Sequence, residues 1–303
     1  MPRTTSTTQT SASTLDLTLL GVAVLAVSFS GPLVREADAP TMAIAFWRTG
    51  LACVLILPVA ALRHRAELRA LPRHDRRTAA LAGGFLALHF GTWIPSLAFT
   101  SVASSVALVC TQPVWTAVMA RARGQNVATR AWLGIGVALS GTLLLTGVDF
   151  SVSGRALFGD ALALAGGIFG AAYVTIGADA RRTMSTTAYT SVCYSIAAIA
   201  LLMACIVGGQ SLAGYSSHTW WVIVAITLGP QMLGHTLVNR VLRTISATVV
   251  SVAILFEIVG ATLIAWWWFD EAPPAGAYPA AVLIGIGVVL VIQSSNQPAP
   301  ELD

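Results

Sequence analysis

One carboxyl side chain, Glu257, stands eleven residues inside the apolar run 246–268. At 1.5 Å rise per residue that is roughly 16 Å along a helix, near the middle of a hydrocarbon layer about 30 Å thick. A carboxylate at that depth is costly unless paired or protonated, so it is expected to face a polar interior and bind protons or a substrate amine; the plainer alternative is a carboxyl that bonds a neighbouring helix. His89, eleven residues into the run 78–98, and His235, near the inner end of 218–238, are side chains that can relay protons near neutral pH, although a lone histidine in a bundle more often makes an interhelical hydrogen bond. Arg48 lies eight residues into 40–62, where its guanidinium is expected to snorkel or pair structurally before it is expected to take a substrate carboxylate. Gln112 and Trp115 are about one helical turn apart in 102–121. Trp93 and Trp115 sit too deep for interfacial belts, so they either fill space between helices or wall a site for an organic, aromatic substrate. Gly229-Pro230-Gln231 interrupts 218–238, and the backbone carbonyl that proline frees is tolerated where a helix lines a cavity.

The elements that must position these groups follow from composition. Of 303 residues 56% are hydrophobic and only 10% charged, against about 25% in a soluble domain, so the charged residues cannot coat two soluble domains. Lipid is the natural solvent. Ten segments carry the roughly 20 apolar residues a span requires: 15–34, 40–62, 78–98, 102–121, 131–147, 156–178, 186–208, 218–238, 246–268 and 275–293. They are expected as helices, because an open strand in lipid leaves backbone amides unpaired. The expected fold is therefore an all-α polytopic membrane protein of ten transmembrane helices. A disordered N-tail (1–14) and a C-tail (294–303), both cytoplasmic, flank it.

Arginine placement gives the orientation, since cytoplasmic loops collect positive charge. With the N-terminus inside, that side holds Arg3, Arg63, Arg65, Arg69, Arg73, Arg76, Arg77, Arg121, Arg123, Arg130, Arg181, Arg182, Arg240 and Arg243. The outer side holds only Arg35 and Arg155. Trp220 and Trp221, with Trp266, Trp267 and Trp268, then fall at the outer interface as an aromatic belt.

Cys53, Cys110, Cys193 and Cys205 lie inside apolar stretches with no CxxC and no histidine at zinc-ligand spacing, so they read as small core residues, and no metal or cofactor is expected. HExxH, GxSxG and Walker A patterns are absent, which argues against an enzyme and against ATP-driven pumping by this chain alone. The expected partners are a small-molecule substrate, the bilayer and protons, with no nucleic acid. Gly166-x-x-x-Gly170 permits close helix approach and is assigned to internal packing, so a monomer is favoured.

A shift of 145 residues lays Leu19 and Gly21 on Leu164 and Gly166, Gly84 on Gly229, Ser101 on Ser246, Gln112 on Glu257 and Val114 on Val259. A further six residues align Gly134-Ile135-Gly136-Val137 with Gly285-Ile286-Gly287-Val288. The chain reads as two five-helix units, 15–147 and 156–293. Because five is odd the second must be inverted, and its arginines do move to the loops whose equivalents are arginine-poor in the first. Inverted repeats are common in alternating-access carriers, with the site between the repeats near the midplane. Gln112 and Glu257 are expected to meet there.

With these features the chain resembles the drug/metabolite transporter superfamily, specifically its EamA-type ten-helix members, over nearly all of 15–293. The resemblance is carried by Phe46-Trp47-Arg48, by Ala98-Phe99-Thr100-Ser101 into Val109-Cys110-Thr111-Gln112-Pro113-Val114, and by Leu255-Phe256-Glu257 with Asp270-Glu271. The family usually follows this glutamate with proline; Ile258 stands there instead, which puts a second helix kink in doubt while Pro113 keeps the first. The resemblance implies a carrier, commonly an exporter of amino acids or other small metabolites, in a bacterial plasma (inner) membrane, with a central cavity walled by helices 1, 3, 4, 6, 8 and 9. A channel or a non-transporting structural subunit is the alternative.

The arginine asymmetry predicts that the loop 63–77 is cytoplasmic. A cysteine placed at Ala70, in a background lacking the four native ones, should resist an impermeant thiol reagent added to intact cells and react once they are permeabilised. Labelling without permeabilisation would overturn the orientation.

Overall fold

The computed structural model describes residues 13–100, 102–146, 153–270, 272–273 and 275–295. Most of the expected tails 1–14 and 294–303, together with Ser101 and Glu271, falls outside the described residues. Every regular element among the described residues is a helix, in which backbone N–H groups beyond the first turn find their partners within the segment. Helix α1 (Thr14–Ser28) continues past Phe29 into α2 (Ser30–Glu36), and α3 (Thr41–Arg63) leads through the short α4 (Arg65–Ala70) to α5 (Arg73–Ser96). Two half-helices, α6 (Val102–Val109) and α7 (Gln112–Ala122), precede α8 (Thr129–Thr146). After these come α9 (Gly154–Ala180) and α10 (Thr186–Val207). Helix α11 (Ser217–Ile226) passes through the π-helical segment Thr227–His235 into α12 (Thr236–Val241). The half-helices α13 (Ala247–Ile254) and α14 (Phe256–Phe269) and the final α15 (Ala277–Ser295) complete the order. Ser13, Ser153, Ser185, Ser216 and Ser246 each begin a helix by accepting a bond from the backbone N–H three residues on, a cap worth about 1 kcal/mol.

By length and composition, 7 segments among the described residues suffice to cross a membrane: Thr14–Glu36, Thr41–Arg63, Gly154–Ala180, Thr186–Val207, Ser217–Val241, Ala247–Phe269 and Ala277–Ser294. The other three expected spans differ from these for separate reasons. The apolar part of α5 carries His89, Thr92, Pro95 and Ser96, which lower its hydropathy. Helices α6 and α7 are short individually because the chain breaks between them, and the apolar part of α8, Thr129–Leu145, is shorter than the rest.

Helix boundaries echo the internal repeat. Thr41 and Thr186, which open α3 and α10, are 145 residues apart, as are the starts of α6 and α13 (Val102, Ala247) and their ends (Val109, Ile254). The breaks therefore fall at equivalent places, Cys110–Thr111 and Leu255. The doubt over the second break is removed: it forms without proline. Leu255 N–H bonds Val252 O at 3.1 Å and Ile258 N–H bonds Leu255 O at 3.2 Å, three-residue closures that end one helix and start the next. In the first copy Pro113 lacks the donor and Thr111 Oγ1 donates to Leu108 O at 2.7 Å.

Small residues let the helices approach, since packing rather than a hydrophobic difference drives association in lipid. A Cβ on Gly166 would lie 2.9 Å from Trp93 Cβ, and one on Gly170 2.6 Å from Gln112 Oε1, so the Gly166-x-x-x-Gly170 face of α9 is filled by α5 and α7. Helices α8 and α15 meet the same way at Gly134 and Gly287. Leu62, Val207 and Trp267 are 80% or more exposed, on the outside of the bundle.

At Gly287 an added Cβ would lie 2.4 Å from Gly134 O and 2.7 Å from Ala138 N, both backbone, whereas at Gly136 it would meet nothing within 4 Å. Gly287→Ala should therefore cost about 1–3 kcal/mol by overpacking, read as a lowered melting temperature in detergent, while Gly136→Ala melts like the parent.

Candidate functional site

Arg48 projects from α3 into the bundle with no exposed surface. Of the two expected outcomes, snorkelling or structural pairing, the structure shows pairing. Its Nε donates to Gln231 Oε1 at 3.0 Å, one terminal nitrogen donates to Ser30 Oγ at 3.2 Å, and the guanidinium carbon lies 4.4 Å from the centre of the Phe90 ring. These are the fork and stacking contacts that suit arginine and that lysine cannot reproduce. The acceptor reaches Arg48 because of a backbone irregularity: Gly229-Pro230-Gln231 falls within the π-helical segment, which re-aims Gln231 and His235 relative to a regular helix. The interruption expected from the proline is thus a π segment rather than a gap.

Around this centre the other candidates form one electrostatic neighbourhood. His235 and His89 both lie within electrostatic reach of Arg48 and of one another. His235 meets the Phe90 ring edge-on at 5.3 Å and Tyr173 at 6.2 Å. The Nδ1 of His89 bonds Gly166 O at 2.8 Å, a contact that requires the nitrogen to carry its proton, and its ring stacks on Trp93 at 5.8 Å. Trp115 Nε1 donates to Thr111 Oγ1 at 3.0 Å beside the α6–α7 break.

Glu257 stands in the first turn of α14, where the helix dipole favours a carboxylate. It is within electrostatic reach of Arg48 and of Cys110, but no ion pair joins it to Arg48 among the described residues. Cys110, His235 and Glu257 lie deep in the bundle and are half-buried as whole residues. Gln112, expected to meet Glu257, instead places its Oε1 against Gly170 on the His89 side, and no hydrogen bond joins the two among the described residues.

Five polar or aromatic groups of this neighbourhood were not expected from the sequence: Ser30, Phe90, Tyr173, Tyr194 and Asn239. Tyr173 O–H donates to Asn239 Oδ1 at 2.6 Å, and Tyr194 shares a bond with Thr236 at 3.1 Å. Single serines, tyrosines and asparagines in apolar runs carry little signal, and the available one was that Asn239 lies two turns from Gln231 on the same interrupted helix.

Two buried donors here have no partner, one guanidinium nitrogen of Arg48 and Gln231 Nε2, and the Nδ1 of His235 and the Nε1 of Trp93 are likewise unpartnered. A pair of free donors on adjoining side chains can receive a carboxylate or carbonyl, Glu257 can receive a cation, and the rings can receive an apolar group. Among the described residues no cluster of His, Cys, Asp or Glu could hold a metal, and all four cysteines are free.

Apolar helices enclosing charged, hydrogen-bonded groups define an integral membrane protein with a polar interior. The EamA-like transporter family model matches residues 15–147 and again 157–293, so the chain belongs to the EamA-like transporter family and is a membrane transporter of the drug/metabolite type with two copies of the family unit. A crystal structure of another protein superposes with a TM-score of 0.78 at 16% identity, covering 93% of this chain and 99% of the other; at that identity it shares the fold. No curated protein matches the sequence.

The arginine-rich end below this site is tied by Glu67 of α4. It accepts bonds from Ser185 N–H at 2.7 Å and Ser185 O–H at 2.6 Å, and His64 Nδ1 lies 3.0 Å away. Burial pushes the Glu67 carboxyl up, but the Ser185 bonds and His64 together hold it below the usual carboxylate range. A lowered folded value means stability that is present above the unfolded carboxyl's value and is lost as pH falls through the folded one. Glu67→Gln should melt below the parent at pH about 7, and the two curves should converge well below the ordinary carboxylate value of about 4. A constant gap across that range would show that the charge is not what Ser185 binds.

Proposed function

We propose that the protein exports small zwitterionic metabolites such as amino acids, with hydrophobic or aromatic side chains accommodated, by alternating access across a bacterial plasma membrane. The observation that carries this reading is the pairing of unpartnered donors on Arg48 and Gln231 with a deeply placed carboxyl at Glu257 within electrostatic reach of Arg48. A substrate carboxylate would satisfy the donors, its ammonium would meet Glu257, and Trp93, Trp115 and the His89 ring would receive the side chain. Membership of a transporter family matched over two units supports transport. Ten spans in two inverted five-helix copies, with both termini cytoplasmic, are supported by the exchanged arginines and the recurrent helix boundaries. Half-helices at equivalent places in each copy suit a site between the repeats.

Proton coupling would run through Glu257, which cannot hold a proton and a substrate ammonium together. His89 and His235 stand close enough to Arg48 to sense such a change. Gln112, on the His89 side, would line the substrate's path.

In proteoliposomes the protein should show saturable counterflow of an amino acid. Glu257→Gln, which keeps size and hydrogen bonding but removes titration, should abolish the pH dependence and lower the rate by about tenfold or more. Unchanged rate, affinity and pH profile would leave Glu257 a structural carboxyl. Ion conduction without counterflow would make the protein a channel, and neither activity would make it a non-transporting subunit.

A further inference from the structure

A cleft of about 680 Å³ opens where α3 leaves the apolar part of the bundle, lined by Ala61, Leu62, Arg65, Leu68, Arg69 and Arg76. Its lining divides by chemistry: three arginines, and the apolar Ala61, Leu62 and Leu68. Arg76 is held in place, donating to Leu68 O at 3.3 Å and Arg69 O at 3.2 Å at the end of α4. Arg65 and Arg69 are exposed and donate no hydrogen bond among the described residues. The acids of this loop do not neutralise them. Glu67 is committed to Ser185 and His64, and Asp75 is half-buried in the first turn of α5. Leu62 is 84% exposed, and Leu55 and Val59 are exposed on the same helix, so an apolar track runs from the cleft along α3.

We propose that this cleft binds the headgroup phosphate of one anionic phospholipid, with Arg65 and Arg69 as its ligands, Arg76 as a fixed flank and an acyl chain along Leu62. Guanidinium groups bind phosphate oxygens through paired N–H donors, and a basic pocket beside transmembrane helices is a recurrent way to hold an acidic headgroup. A free phosphate ion would use the same arginines but would gain nothing from Leu62. The site lies outside the Arg48–Glu257 neighbourhood and does not depend on what is transported.

Native mass spectrometry of the full chain in detergent tests this with phosphatidylglycerol, phosphatidylcholine and inorganic phosphate as probes. The expected result is retention of one phosphatidylglycerol in preference to phosphatidylcholine, weakened about tenfold or more by Arg65→Gln/Arg69→Gln. Leu62→Asp, which leaves every arginine in place, should also weaken it. Arg73→Gln/Arg77→Gln removes the same charge from the same loop away from the cleft and should change retention little. Equal loss from both arginine pairs would reduce the effect to diffuse charge, and displacement of the lipid by millimolar phosphate would make it an ion site; either overturns the proposal, as does equal retention of the two lipids. Unchanged melting temperatures of the variants without lipid would separate these outcomes from misfolding.

Discussion

The interaction on which the rest of this structure depends is the burial of one guanidinium among apolar helices. An ion taken out of water costs several kcal/mol after relaxation, and that is offset only by good geometry and further hydrogen bonds. Arg48 meets most of the requirement with groups from three other elements, Ser30 at the start of α2, Phe90 on α5 and Gln231 on the π segment, and leaves one guanidinium nitrogen unpartnered. Each must therefore stand where it does relative to α3. Removing one would strand a buried charge, which costs far more than the bond itself is worth.

Irregular backbone follows from the same constraint. Inside a membrane protein a broken helix is tolerated where the freed groups face protein or an interior space, and the irregular places here are those that flank the polar neighbourhood. The π segment delivers Gln231 and His235, the Leu255 break places Glu257 in the first turn of a half-helix, and the Cys110–Thr111 break does the same for Gln112. Glycines on α9 then bring α5 and α7 close enough for His89, Trp93 and Gln112 to share one wall. Helices α8 and α15, which contribute none of these groups, run without a break.

Much of the site was legible because a lone polar residue in an apolar run has few physical explanations. Glu257, Arg48, His89, His235 and Gln231 were visible in that way, and the structure gathers them around Arg48. The partners were not. Ser30 and Asn239 carry no charge and no spacing that marks them, and Phe90 looks like any core aromatic until a cation lies over its face. The second helix break was illegible for a different reason: the signal sought was proline, whereas Leu255 ends its helix through three-residue hydrogen bonds that any residue can make. Arg181 was legible only as a loop charge. The structure buries it, donating to Asn239 O at 2.8 Å, to Met184 O and to Thr186 Oγ1 at 2.8 Å, because its loop tucks under the ends of α9 and α12.

That burial links the interior to the arginine-rich end through one residue. Asn239 accepts from Tyr173 through its side chain and from Arg181 through its backbone carbonyl, and both donors come from α9 or the turn that follows it. Helix α12 is thus fastened to α9 at two points while its other end continues directly from the segment carrying Gln231 and His235. Moving α12 away from α9 would expose the Arg181 guanidinium and free the Tyr173 hydroxyl in the same step. A charge-assisted bond is about twice as strong as a neutral one, so the Arg181 contact is the stronger of the two fastenings. The position of the π segment, and with it the acceptor of Arg48, is set from the polar end of the bundle as well as from within it.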